Sequence, residues 1–308
     1  MATPTIGIPR SMFFHSEAGL VTTFLESIGV RPVLSPPTDR SIMERGIALA
    51  VDETCLPMKI HLGHVDSLRG SVDRVLVPRY AVLPGDRGET CVKFWGAYDV
   101  TRNVFPELPI LSYDVDRIFG RSERRALSAL GRELGASPLA ARRAWREADA
   151  SRREARTRAI AQQARLVEET ADLPSVLVCG HSYVLDDRFM GAPLLSLLED
   201  QGVTVVRSDR AMEPHEARSA ALEFSPGLKW VYNSEQVGAI AKMRGRVGGI
   251  LLLLTFPCGP DSLCAELVQR AVRDVPVCVI VLDELTAAGG MQTRIESFCD
   301  IIKMRRSA

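Results

Sequence analysis

The chain has 308 residues, which is enough for two domains, and its 46% hydrophobic and 25% charged residues are ordinary for a globular protein. Lysine plus arginine and aspartate plus glutamate each number 38, so the charge does not indicate a nucleic-acid partner. The longest apolar run, residues 250–254, is too short to span a membrane, and no signal peptide precedes the first apolar segment. We therefore expect a cytoplasmic protein.

Short apolar segments alternate with amphipathic ones in both halves of the chain. This alternation predicts parallel β-sheets covered by helices, and the unbroken apolar segment at 250–255 is typical of a central strand. The predicted strands are 5–8, 31–34, 74–77, 110–111, 176–179, 204–206, 250–255 and 277–282, and the predicted helices include 18–28, 42–49, 194–201 and 263–272.

Residues 122–173 separate the two halves and form a helical pattern rich in Arg, Ala and Glu, with a break at 135–138. Ser137 suits a helix N-cap and Pro138 a first helical turn. We predict an N-terminal α/β domain over 1–121, a helical connector over 122–173 and a C-terminal α/β domain over 174–308. The arginines of the connector either dock a partner or a phosphorylated ligand or, as is more usual, form a solvated helix face.

The chain contains seven cysteines, an odd number, and no pair of them has C-x-x-C spacing. A disulfide framework, a zinc ribbon, a thioredoxin motif and a ferredoxin-type cluster run are therefore not indicated. Cys264, Cys278 and Cys299 fall in apolar patterns and are expected in the core, whereas Cys179 ends a strand and is ambiguous.

The other three cysteines occupy loops of the kind in which parallel α/β proteins place their sites. Cys55, Cys91 and Cys258 each stand at the start of a predicted helix, where backbone N–H groups stabilise the thiolate that binds iron. Lys59 and Lys93 follow two of them and add positive potential. The alternative is three buried structural cysteines, because scattered single cysteines are a weak signal.

Short motifs extend from these loops along nearly the whole chain. They are GIPR at 7–10, DETCLPMK at 52–59, GHV at 63–65, VPR at 77–79, CVK at 91–93, GHSY at 180–183, CGPDS at 258–262 and TRIESF at 293–298. In content and order they resemble the 2-hydroxyacyl-CoA dehydratase and benzoyl-CoA reductase superfamily, and in particular its stand-alone activase-related proteins.

This resemblance implies two Rossmann-like domains with a [4Fe–4S] cluster in the interdomain cleft, bound by Cys55, Cys91 and Cys258 with one iron left open. It also implies a partner, a dimeric cluster-bearing ATPase that activates the chain with low-potential electrons. No Walker A phosphate-binding loop is present in the chain itself. The further expectations are reductive chemistry on an acyl-CoA and pairing with a second copy or a related chain.

Several polar residues beside these loops are candidates for binding a substrate. Arg10 and Arg79 follow prolines at strand ends and suit a carboxylate or phosphate, with ion pairs to Asp52 or Glu53 as the alternative. Together with Lys59 and Lys93 they form the predicted substrate-binding set.

The catalytic candidates are His181, Ser182 and Glu53. For His181 a role near the substrate or cluster and a structural role are equally supported, whereas His64 is expected to be structural. Asp261 is expected to cap the helix that follows Cys258.

One segment departs from the resemblance. Related sequences are more polar at 283–290 and usually carry a histidine and a second acidic residue, where this chain has Leu285 and Ala288. Three functions therefore stay open: an iron–sulfur enzyme component, a non-catalytic electron carrier or cluster scaffold, and a metal-free protein that binds a small anion through Arg10 and Arg79.

Overall fold

The computed structural model describes residues 4–82, 88–285 and 288–307, without the side chains of residues 288, 289 and 307. The chain divides into two compact units, Met1–Ala155 and Arg156–Ala308. Each unit contains a four-stranded parallel sheet with helices between its strands, so the predicted α/β class with parallel sheets is confirmed. Within the 283–290 segment that departs from the resemblance, residues 286 and 287 lie outside the described residues.

The first unit is built around a sheet with the strand order β2-β1-β3-β5, and β4 and β6 form a separate parallel pair. This pair was not predicted, because β4 follows β3 after only two residues and β6 has three residues. The described elements are β1 (Thr5–Ile8), α1 (Phe14–Ser27), β2 (Arg31–Leu34), α2 (Arg40–Leu49), α3 (Leu56–Leu68), β3 (Arg74–Leu76), β4 (Arg79–Val82), α4 (Val92–Val104), β5 (Ile110–Leu111), β6 (Asp114–Asp116), α5 (Glu123–Glu133) and the N-terminal part of α6 (Pro138–Glu169), the rest of which belongs to the second unit.

Helices α2 and α3 meet with their backbones in contact. A Cβ atom added at Gly46 would overlap the carbonyl group of Lys59, and one added at Gly63 would overlap that of Ile42. The helices approach this closely only because neither glycine has a side chain. The contact fixes the position of α3, which begins directly after Cys55.

A buried polar network joins α1, α5 and α6 in the first unit. Arg152 donates from Nη1 to Glu17 at 2.5 Å, and from Nη2 to Glu123 at 2.8 Å and Asp149 at 2.6 Å. The fully buried Tyr80 hydroxyl donates to Glu123 at 3.3 Å. Arg152 is therefore an internal anchor, although it belongs to the Arg-rich stretch of the connector. The arginines of that stretch that are exposed, as a solvated face predicts, include Arg142, Arg143 and Arg146.

The second unit has the sheet order β10-β9-β7-β8, with all pairs parallel. Strand β9 is buried along its whole length, as expected of a central strand, whereas β10 lies at the edge and leaves Cys278 only half-buried rather than in the core. The described elements are β7 (Ser175–Cys179), α7 (Ser182–Leu185), α8 (Ala192–Asp200), β8 (Thr204–Arg207), α9 (Pro214–Phe224), α10 (Val231–Met243), β9 (Gly249–Thr255), α11 (Gly259–Ala271), β10 (Val277–Leu282) and α12 (Ala288–Ser307).

The predicted connector contains α5 and α6, with the expected break between them. The Ser137 hydroxyl accepts a hydrogen bond from the Ala140 N–H at 3.2 Å and so caps the start of α6. The division into compact units falls between Ala155 and Arg156, inside this helix, while the predicted domain limits at 121 and 173 stay a prediction. None of the described helices is both long and apolar enough to cross a lipid bilayer.

Candidate functional site

Cys55 and Cys91 stand at the N-caps of α3 and α4. Both have extended backbone torsions, with φ −63° and ψ 148° for Cys55 and φ −70° and ψ 158° for Cys91. The Cys55 carbonyl accepts from the Met58 N–H at 2.9 Å, and the Cys91 carbonyl accepts from the Phe94 N–H at 3.0 Å. Each half-buried thiol therefore lies at the positive end of a helix, as the sequence predicts.

The two thiols are close enough to influence each other's ionisation. Burial raises the pKa of Cys55, and the Met58 N–H opposes this rise. The neighbouring Cys91 raises the same pKa further, whereas the Lys93 ammonium lowers it. The first unit therefore brings together two of the three predicted ligands and one of the predicted lysines.

The other candidates near Cys55 have different surroundings. Lys59 is buried in the first turns of α3, whereas Lys93 is half-buried. Glu53 is exposed in the turn before Cys55. The Lys93 ammonium lowers the pKa of Cys55, which places this lysine near the Cys55 thiol.

Arg10 and Arg79 are both engaged within the first unit. Arg10 donates from Nε to the Ser35 carbonyl at 2.8 Å. Arg79 pairs with Asp99 at 2.5 Å, not with Asp52 or Glu53, and its guanidinium lies 4.4 Å from the ring centroid of Tyr98. Arg79 is therefore ion-paired, but the partners expected for it, Asp52 or Glu53, are wrong.

Two buried histidines of α3 are fully hydrogen-bonded. Thr101 donates its hydroxyl to the Ala97 carbonyl at 2.7 Å, so it accepts from His61 Nε2 at 3.1 Å, and His61 Nδ1 accepts from Ser11 at 2.8 Å. Desolvation lowers the pKa of His61 to about 4.

His64 lies between two hydroxyl groups, with Nδ1 2.9 Å from Ser35 Oγ and Nε2 3.0 Å from Thr38 Oγ1. Desolvation lowers its pKa to about 3, with further lowering by His61, His15 and Arg10. The structural role predicted for His64 is confirmed.

The second unit gathers a polar cluster beside Cys258, the N-cap of α11. Asp261 lies in the first turn of this helix and is buried. Its Oδ1 accepts from His181 Nε2 at 2.9 Å and from Asn233 Nδ2 at 2.7 Å. The expectation that Asp261 caps the helix is wrong, because its carboxylate is committed to His181 and Asn233. Asn233 carried no signal in the sequence.

Burial alone would raise the pKa of Asp261, yet His181, Asn233 and Cys258 outweigh it and hold this pKa below its ordinary value. As a carboxylate, Asp261 only accepts, so the His181 Nε2 carries the hydrogen. The His181 ring stacks on Tyr183 with 4.8 Å between centroids, and its buried Nδ1 has no hydrogen-bond partner among the described residues. The half-buried Ser182 begins α7 directly after His181.

Three of the four remaining cysteines are buried, namely Cys179, Cys264 and Cys299. Desolvation raises the pKa of each, that of Cys264 to about 12, so these thiols stay protonated at neutral pH. The core placement predicted for Cys264 and Cys299 is confirmed. Across the described parts of the chain, no three or more His, Cys, Asp or Glu side chains are gathered as a metal site.

Comparison with protein families gives a match that covers most of the chain. The profile of the family described as "CoA enzyme activase uncharacterised domain" fits residues 5–210, more than half of the chain. The chain belongs to this family. The region matched to the CoA enzyme activase uncharacterised domain contains Cys55, Cys91 and His181 and ends before Cys258 and Asp261.

No curated protein matches the chain. Among solved structures, a Cd-bound periplasmic metal binding protein from Candidatus Liberibacter asiaticus is 11% identical, with 98% of this chain and 99% of that one covered and a TM-score of 0.26. A carbohydrate transporter from Acidothermus cellulolyticus 11B in complex with myo-inositol is 9% identical, with 99% and 88% covered and a TM-score of 0.21. These TM-scores are low, so neither likeness indicates the fold or the function of this member of the CoA enzyme activase uncharacterised domain family.

Proposed function

We propose that the chain is an iron–sulfur protein in which Cys55, Cys91 and Cys258 bind a [4Fe–4S] cluster. In this proposal it accepts low-potential electrons from an ATP-hydrolysing activator and uses them in reductive chemistry at an open cluster iron, with an acyl-CoA as the substrate. The observation that carries the proposal is the pair of half-buried thiols of Cys55 and Cys91, each at a helix start and within electrostatic reach of the other.

The donor set suits a cluster. Thiolates are the usual ligands of iron–sulfur clusters, and the positive N-terminal ends of α3 and α4 favour the ionised form of each cysteine. Lys93 offsets part of the negative charge that two thiolates bring together. When bound, such a cluster supplies one-electron chemistry and, at an iron without a cysteine ligand, a Lewis acid.

Cys258 is the proposed third ligand because it repeats the same placement in the second unit, at the N-cap of α11. The Asp261 carboxylate accepts from His181 and is itself held by Asn233, so it orients His181 beside that helix start. His181 is accordingly the catalytic candidate that the surroundings support, ahead of Ser182 and Glu53.

Membership of the CoA enzyme activase uncharacterised domain family supports a link to acyl-CoA chemistry and to an ATP-dependent activator as partner. Pairing with a second copy or a related chain, and a cytoplasmic location, belong to the same proposal.

The test is iron binding by single serine variants after purification without oxygen. We expect Cys55→Ser, Cys91→Ser and Cys258→Ser each to lose at least half of the wild-type iron content and visible absorbance. Cys278→Ser is the matched control, because Cys278 is also half-buried but lies on an edge strand away from any helix start. Equal iron content in all four variants, or an iron-free wild type that resists reconstitution, would sink the proposal.

A non-catalytic electron carrier or cluster scaffold is the second candidate. The observation that favours it is Leu285, an 85% exposed apolar side chain in the segment where related sequences are polar. Adding acyl-CoAs to the reduced protein separates the two functions: a change in the cluster spectrum supports the enzyme, and the absence of any change supports the carrier.

A further inference from the structure

A surface pocket of about 190 Å³ lies in the first unit, between the β4–β6 pair and the first turns of α4. The buried Val115 forms part of its lining, and Trp95 and Phe119 line it as well. These two aromatic side chains are 54% and 73% exposed. Large aromatic rings held in water beside a pocket are a feature of surfaces that bind a ligand.

The polar lining offers both donors and acceptors. Arg79 and Arg121 contribute guanidinium groups, and Asp114 and Asp116 contribute carboxylates, so the charges of the lining balance. Arg79 is paired with Asp99, which lies outside the lining, and Arg121 is paired with Asp114. The buried Nε of Arg79 has no hydrogen-bond partner among the described residues, which leaves a donor unsatisfied at this place.

These ion pairs are exchangeable. Asp99 is 59% exposed and Arg121 is 58% exposed, and such surface pairs contribute little to stability. A ligand with hydrogen-bonding edges can therefore replace part of each pair at small cost, while its faces contact the aromatic rings.

We propose that this pocket binds a purine ring. The volume is below the usual range for drug-sized ligands and suits one bicyclic ring rather than a whole nucleotide. A purine has a large face for stacking on Trp95 or Phe119, and its edge carries acceptors for Arg79 and Arg121 and a donor for Asp114. A nearly neutral lining recognises a neutral base and leaves any phosphate groups in solvent.

The acyl-CoA of the proposed function also carries adenine, but neither the cysteines nor a bound cluster enters this inference, so a chain that binds no iron would still be expected to bind the ring. The ring could be supplied by ATP or by coenzyme A, which share adenine. The arms of the experiment separate these sources.

The experiment is a fluorescence titration of the full-length chain carrying Trp145→Phe and Trp230→Phe. The sequence has three tryptophans, so Trp95 is then the sole indole reporter. Adenosine, ATP and coenzyme A are added in parallel, with cytidine as the pyrimidine control. We expect saturable quenching by all three purine probes and at least tenfold weaker binding of cytidine.

Phe119→Ala should weaken adenosine binding by about tenfold through loss of stacking, whereas Phe119→Tyr should retain it. Ile118→Ala is the matched control, since Ile118 is a 69% exposed apolar neighbour that does not line the pocket. Arg79→Gln should weaken binding as well. Tighter binding of ATP or of coenzyme A than of adenosine identifies the source of the ring.

Three results would overturn the inference. They are no saturable quenching by any purine at millimolar concentration, equal affinity for adenosine and cytidine, and unchanged adenosine affinity in a Phe119→Ala variant that keeps the wild-type circular dichroism spectrum.

Discussion

His61 and His64 show how burial decides protonation in the first unit. Their pKa values fall to about 4 and about 3, whereas an imidazole in the unfolded chain titrates near 6.5. Between these limits the unfolded chain binds protons that the folded chain does not. The stability that the two neutral rings contribute is therefore complete above pH 6.5 and is lost as the pH falls toward 4.

This difference predicts an acid-sensitive fold. From pH 6.5 to pH 4.5, His61→Gln should reduce the fall in the free energy of unfolding by up to about 1.4 kcal/mol per pH unit relative to wild type. Urea unfolding at several pH values measures this. The exposed His215 provides the control, because His215→Gln should follow the wild-type curve. Parallel curves for wild type and His61→Gln would contradict the assignment.

Arg152 is a second residue whose contribution to stability depends on its surroundings. Arg152→Ala would leave the carboxylates of Glu17, Glu123 and Asp149 without their shared cation, at a cost of about 3–5 kcal/mol in the free energy of unfolding. Arg146→Ala on the same helix should change it by less than about 0.5 kcal/mol, because Arg146 is exposed. A similar effect of both substitutions on the urea midpoint would speak against the network.

Among the helices, the pair α2 and α3 gives the sharpest prediction. Gly46→Ala and Gly63→Ala should each destabilise the protein by about 1–3 kcal/mol or more, since the new methyl group meets backbone that must move away. Gly96→Ala in α4 is the matched control, because a Cβ there meets nothing within 4 Å and alanine favours a helix by up to about 1 kcal/mol. Urea unfolding should show a lower free energy of unfolding for Gly46→Ala and Gly63→Ala and an unchanged or higher one for Gly96→Ala.

Sequence patterns predicted the elements that have a strong period or an unbroken apolar run. Strand β9 and the break before α6 are examples, since each depends on local chemistry. The short strands β4 and β6 escaped prediction, because three ladder contacts with a distant partner, not a pattern, define them.

The same distinction holds at the candidate site. The helix-start placement of Cys55 and Cys91 was predictable from turn and cap chemistry, and so was the structural role of His64. The hydrogen bonds of Asp261 to His181 and Asn233 were not predictable, because these residues lie 80 and 28 positions away in the sequence. The Arg-rich pattern likewise gives no sign that Arg152 is anchored inside the first unit, because its partner Glu17 is 135 residues away.

Across the whole chain, the position of α5 and the first half of α6 decides where a stable fragment can end. Leu127, Leu130 and Ala141 on these helices are buried within the first unit, and Gly131 packs against Phe24 of α1. The N-terminal domain predicted over 1–121 contains Phe24 but lacks the residues of α5 and α6 that pack here.

We therefore expect the fragment 1–173 to unfold cooperatively in urea and the fragment 1–121 to show no cooperative transition, because the shorter fragment exposes the apolar surface that α5 and α6 cover. Circular dichroism during urea titration measures both. A cooperative transition of 1–121 at the midpoint of 1–173 would support the shorter domain instead.

The backbone contact between α2 and α3 also restricts how the gene can vary. Glycine is a poor residue inside a helix, so chance substitutions at codons 46 and 63 would ordinarily improve local helix formation. Here each such substitution pushes the helices apart, and a change at one codon cannot be rescued by a change at the other. Libraries selected for folded protein should consequently keep glycine at both codons, while the neighbouring exposed positions of α2 diversify.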